Sequence, residues 1–157
     1  MRTTRTIHRG GVAVAALVLA AGLAGGAAAS SDLAPRFTDA HQQAAEFLGY
    51  WQSIPLTAEE EAVKKEALSK LEAPCCDDNR MDTCCCPCNL AKTAWGLSAY
   101  LIHVKHYDAT QVRTKVAEWL EFVNPNGFTG DACYTAGGCD RAISSNGCGG
   151  MKGPVVP

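Results

Sequence analysis

Nowhere does this 157-residue chain alternate apolar and polar side chains at period two for long enough to build a half-buried strand, so a sheet-centred core is not expected. Familiar catalytic signatures are missing too. There is no G-x-S-x-G elbow, no phosphate-binding glycine loop, no H-E-x-x-H pair and no C-x-x-C-H haem attachment, which leaves hydrolase, kinase and cytochrome c readings without a foothold. Basic charge is scarce. Residues 1–29 take three of the fourteen Lys and Arg and none of the sixteen acidic residues. The remainder carries eleven basic against sixteen acidic side chains, a net of −5, which argues against a nucleic-acid partner. A long apolar run is lacking as well: Val12 to Leu23 is short for a membrane span and is interrupted by Gly22.

What the first residues do contain is a leader pattern. Arg2, Arg5 and Arg9 precede the apolar run, which ends at the small triplet Ala27-Ala28-Ala29, the layout of a secretory signal peptide over residues 1–29. The separated arginines do not form a twin-arginine signal. Cleavage after Ala29 would leave 128 residues in an extracytoplasmic compartment, with no stable membrane anchor and with disulfides permitted. That length suits one domain with a modest core.

The fold class expected is all-α: a small bundle of about four short helices, residues 30–128, followed by a Cys/Gly-rich irregular region, residues 129–157. Asp39 with Gln42 caps a first helix carrying Ala40, Ala44, Phe47, Leu48 and Trp51, which should stop near Gly49. Thr57 with Glu60 caps a second, with Val63, Ala67, Leu68 and Leu71 on one face and Pro74 beyond its end. The third runs from about Pro87 to about His106 on Leu90, Ala94, Leu97, Leu101 and Val104; Asp108 with Gln111 caps the fourth, built on Val112, Val116, Trp119, Leu120 and Val123. Trp95 and Trp119 are expected to fill the interface of this last helical hairpin. Beyond Phe128, seven glycines and Cys133, Cys139 and Cys148 leave too little apolar surface for self-sufficient order, so crosslinks are required there, and Lys152 to Pro157 reads as a frayed tail.

Chemistry is concentrated in residues 75–88, which hold six of the nine cysteines: Cys75, Cys76, Cys84, Cys85, Cys86 and Cys88. Pro87 suits the first position of a helix, which makes Cys86 the cap and puts Cys88 in the first turn, where unpaired amides favour thiolate. Four cysteines in five residues are hard to pair without strain, whereas crowded thiolates suit soft ions. The six cysteines are therefore the expected ligands of a soft metal ion. Cu(I) is preferred; zinc and an iron-sulfur cluster are permitted, although only Cys85 to Cys88 has the C-x2-C spacing of a zinc knuckle. A non-enzymatic binding module is expected, since no substrate cleft is evident. Asp77-Asp78-Asn79 lacks the glycine and distal glutamate of a calcium loop and reads as a hydrated turn.

Two other readings stand beside this one. Cys85-Cys86-Pro87-Cys88 has the C-x-P-C form and resembles the active-site turn of thioredoxin-like proteins, which implies a thiol-disulfide oxidoreductase with Cys85 attacking and Cys88 resolving. A disulfide-stapled secreted interaction or structural protein also accommodates nine cysteines, and the odd count leaves one thiol that could join two chains. The order of an N-terminal helical region, Cys84-Cys85-Cys86-Pro87-Cys88 opening a helix, and a further helix looks like secreted bacterial proteins named for a PCYCGC motif. That resemblance implies extracytoplasmic location and thiol-dependent binding. His103 and His106 share a helical face, but lie about 22 to 27 Å along the helix from Cys88. Met81 and Met151 could add thioethers to a Cu(I) site, and more simply pack.

Overall fold

The computed structural model describes residues 35–74, 76–84, 86–126, 139–145 and 147–155, with the backbone alone at 76–78. These residues belong to one compact unit, Leu33–Pro157. The expected signal segment, residues 1–29, lies outside the described residues.

Four helices and a two-stranded hairpin form in the order α1 (Ala40–Ser53), α2 (Ala58–Leu68), β1 (Glu72–Ala73), β2 (Cys76–Arg80), α3 (Asn89–His103) and α4 (Ala109–Val123). The mostly helical bundle expected from the sequence is what the chain builds. The caps are where side-chain chemistry places them. Asp39 accepts the amide of Gln42, while Gln43, not Gln42, reaches back to accept the amides of Thr38 and Asp39. Thr57 with Glu60 and Asp108 with Gln111 close reciprocal capping boxes. α1 runs past Gly49 to Ser53, because a single helical glycine weakens a helix by only about 1 kcal/mol and the flanking apolar spacing continues.

α3 is the central element and touches α1, α2 and α4. Its expected stripe of Leu90, Ala94, Leu97 and Leu101 is buried, and so are Ala91, Thr93, Ser98, Ala99 and Ile102, leaving little of the helix to solvent. The two hydroxyls on it are satisfied locally: Thr93 donates to the Leu90 carbonyl and Ser98 to the Ala94 carbonyl, both at 2.7 Å. Val104, expected on the same stripe, is 47% exposed because the helix has already ended. Its stop is a left-handed residue, His106 at φ 56, with the Tyr107 amide on the Leu101 carbonyl and the His106 amide on the Ile102 carbonyl.

Trp119 of α4 is fully buried, donates its indole N–H to Thr93 at 3.0 Å, and packs edge-on to Phe47 at 4.9 Å. Burial of large side chains of this kind contributes about 1.5 to 3 kcal/mol each and dominates the core. Trp95 departs from expectation. It is outside the α3/α4 interface and donates to the Met81 carbonyl at 2.8 Å, tying the cysteine stretch to α3.

The segment read as a hydrated turn is instead strand β2, paired antiparallel with β1 in the register Glu72↔Arg80 and Ala73↔Cys76. Period-two patterning missed it because β1 is two residues long and β2 is polar, so no alternating face exists to read. Arg80 reaches Glu72 at 3.4 Å across the hairpin, and the Met81 amide continues the ladder to the Leu71 carbonyl. Met81 itself is wholly buried, a core residue.

Candidate functional site

The mouth of α3 gathers the sulfur chemistry. Cys88 is the N-cap, with extended backbone at φ −70 and ψ 167, so the helix begins two residues later than a Cys86 cap would have it. Pro87 does not open the helix. It sits at the apex of a tight turn in which the Cys88 amide donates to the Cys86 carbonyl at 2.7 Å. The Cys84 thiol donates to that same carbonyl at 3.4 Å, folding Cys84, Cys86 and Cys88 about one oxygen.

Cys88 is 2% exposed. Burial is the main reason its thiol is pushed up to about 11; the amide of Ala91 pulls the other way, and the neighbouring sulfurs of Cys84 and Cys86 raise it further. The helix start was expected to favour thiolate here, but desolvation outweighs the partial charge of the helix terminus. The leading amides of α3 are also engaged by the C-terminal segment: Asn89 N–H donates to the Gly150 carbonyl at 2.8 Å, and Leu90 N–H, which like that of Ala91 pulls the Cys88 thiol down, donates to the Cys148 carbonyl at 3.0 Å.

Those acceptors belong to the C-terminal segment, which the sequence reading kept apart from the cysteine stretch. Residues 147–155 lie across the mouth of α3 as a strap. Asn89, with no exposed surface, donates its side-chain amide to the carbonyls of Gly149, Pro154 and Gly153 at 2.8, 3.3 and 3.4 Å, and Lys92 holds the Met151 carbonyl at 2.9 Å. Because three carbonyls fix the nitrogen's orientation, the Asn89 Oδ1 is set on the other side, buried and with no hydrogen-bond partner. Val155 is buried in the core, so the frayed tail expected from Lys152 onward is corrected through Val155; residues 156–157 lie outside the described residues. The strap is ordered by backbone hydrogen bonds and by Val155 and Ile143 in the core, and Cys148 is disulfide-bonded.

The fold thus brings Cys84, Cys86, Cys88, Cys139 and the strap's Cys148 to one end of the bundle, with the Gly150 amide bonded to the Cys139 carbonyl. Cys75, Cys85 and Cys133 lie outside the described residues, as does the side chain of Cys76. Among the described residues no group of three or more His, Cys, Asp or Glu side chains is arranged to hold a metal ion. The histidines are elsewhere: His103 bonds the Glu60 carboxylate through Nδ1 at 3.0 Å, and His106 serves the helix stop. Glu60 is held below the usual carboxylate range, first by the Thr57 amide and then by His103.

A second feature was not legible in the sequence. A cleft of ≈ 550 Å³ lies between the end of α1, α2, the turn Met81–Thr83 and α3, with Trp51 and Trp95 in its walls and Asp82 at its edge with the cysteine stretch. Trp51, expected in the core with Phe47 and Leu48, is 42% exposed, with the Lys92 ammonium 5.4 Å from its ring centroid. Among the described residues no helix is long and apolar enough to cross a membrane. Compared with family models, curated proteins and solved structures, the chain matches none.

Proposed function

We propose that this chain is an extracytoplasmic thiol protein that holds a soft metal ion, Cu(I) by preference, for storage, delivery or detoxification. The observation that carries the reading is the grouping of Cys84, Cys86 and the buried Cys88 about one turn, near enough for the sulfurs to raise the Cys88 thiol's pKa. Thiolates crowded in a dry site are poor companions for one another and good ligands for a soft cation, whose charge offsets theirs. Cys75, Cys76 and Cys85 complete the donor set. The likeness to secreted proteins with a PCYCGC motif agrees with thiol-dependent binding outside the cytoplasm. A strap over the helix mouth suits a site that keeps its ion from water more than one that turns over substrate, which favours a carrier over an enzyme.

The test is native mass spectrometry with metal analysis on protein taken from its own compartment. Bound copper that is lost in a Cys84→Ser, Cys86→Ser double variant is the expected result. A metal-free mass with all cysteines but one in disulfides would end the proposal. It would leave the disulfide-stapled reading, which draws on Cys148 being disulfide-bonded. A thiol-disulfide reading with Cys85 and Cys88 would need exchange with a small thiol in metal-free protein, lost on Cys85→Ser.

A further inference from the structure

The ≈ 550 Å³ cleft is of the size that encloses a small organic molecule, and its chemistry is uneven. Leu68, fully buried, lies among its lining, and the two indoles wall it. Trp95 is fixed by its bond to the Met81 carbonyl, so its N–H is not available to a ligand and the ring offers only its π surface. The Lys92 ammonium, which is held by the Met151 carbonyl and does not line the cleft, lies 5.4 Å from the Trp51 ring centroid, so a cation already sits against this indole.

The lining carries two ammonium groups, Lys64 and Lys65, and two carboxylates, Glu61 and Asp82. Lys64 is tied to Glu61 at 2.7 Å, so that pair is internally neutralised. Lys65 is exposed and can extend its ammonium into water. Asp82 is half-buried, and among the described residues its carboxylate has no hydrogen-bond or ion-pair partner. A partly desolvated carboxylate beside two aromatic walls attracts a cation with an apolar body.

We infer that the cleft lined by Trp51, Trp95 and Asp82 is a binding site for a small organic ammonium ion. The inference does not depend on the metal reading, because the ligand contacts indoles and a carboxylate and no sulfur.

The experiment titrates the intact protein with benzyltrimethylammonium, with benzoate and benzyl alcohol as anionic and neutral probes of similar bulk, following the three indole N–H signals by NMR. The expected result is saturable binding of the cation that moves the Trp51 and Trp95 signals and leaves buried Trp119 in place. Affinity should exceed that for benzyl alcohol by roughly tenfold and fall by a similar factor in Asp82→Asn. Trp51→Ala, a change at an exposed side chain that leaves the core intact, should weaken the cation as well. Benzoate or benzyl alcohol binding as tightly as the cation, unchanged affinity in Asp82→Asn, or no saturable binding of the cation would overturn the inference.

Discussion

Replacing Gly96 with alanine tests how closely α1 and α3 are packed. A Cβ at Gly96 would lie 1.8 Å from the Phe47 carbonyl oxygen, 2.7 Å from the Trp51 amide nitrogen and 2.9 Å from the Phe47 carbonyl carbon. All three are backbone atoms of one helix, so no rotamer change relieves the contact and the helices must part by roughly 1 Å or more. Parting them loosens Phe47 from Trp119, an edge-on contact between two buried rings. Overpacking of ordinary cores costs about 1 to 3 kcal/mol, and a clash against fixed backbone belongs at or above the top of that range, so Gly96→Ala should lose about 3 kcal/mol or more. At about 3 to 5 °C per kcal/mol for a domain of this size, the midpoint should fall by roughly 10 to 15 °C. Gly49→Ala is the control of opposite sign. It also sits within a helix, but a Cβ there meets nothing within 4 Å, so it should gain about 0.5 to 1 kcal/mol from helix propensity alone. Thermal and urea unfolding followed by far-UV circular dichroism reads both. A Gly96→Ala midpoint within a few degrees of wild type would refute the close approach of the two helices.

Three further outcomes follow from other parts of the molecule. His106→Gly should stabilise by about 1 kcal/mol in urea unfolding, since a left-handed backbone strains any residue with a Cβ and the attraction the imidazole adds is to a carboxylate, Glu60, that the Thr57 amide and His103 hold more strongly. Asn89→Asp would set a carboxylate against the carbonyls of Gly149, Gly153 and Pro154; it should cost at least about 2 kcal/mol and free the strap, read as faster proteolysis near the C-terminus, and wild-type resistance would count against the capping role. The Glu60 carboxyl should titrate below the ordinary range by NMR. Because its folded pKa is depressed, the stability it lends is present above the unfolded value and is lost as pH falls through the folded one. His103→Ala should recover only part of that depression, the Thr57 amide being the larger cause; full recovery would reverse that assignment.

Much of the helical frame was written locally. A capping carboxylate, hydroxyl or amide three residues from its partner acts within one turn, which is why Asp39, Thr57 and Asp108 mark true helix starts. Apolar spacing likewise identified Leu97, Leu101, Val112 and Val116 as core. Pro87 misled because proline is compatible with both the first helical position and the turn before it, and nothing within a few residues decides between them. The hairpin at Glu72 and Arg80 escaped for a similar reason: two residues of pairing have no period.

Sequence alone therefore determined that cysteines 75–88 adjoin a helix start and that four amphipathic helices would bury one core, because both depend on neighbours within a turn or two. Only the tertiary structure decided that residues 147–155 return to cap α3, that Asn89 is the post they are tied to, and that Gly96 admits the backbone of α1. These contacts join residues about 45 to 65 positions apart, and their partners are backbone carbonyls and amides, which every residue carries and no side-chain pattern reveals. The Cys88 thiol shows both levels at once: its place at the head of the helix is local, while its protonation is governed by burial that distant segments impose.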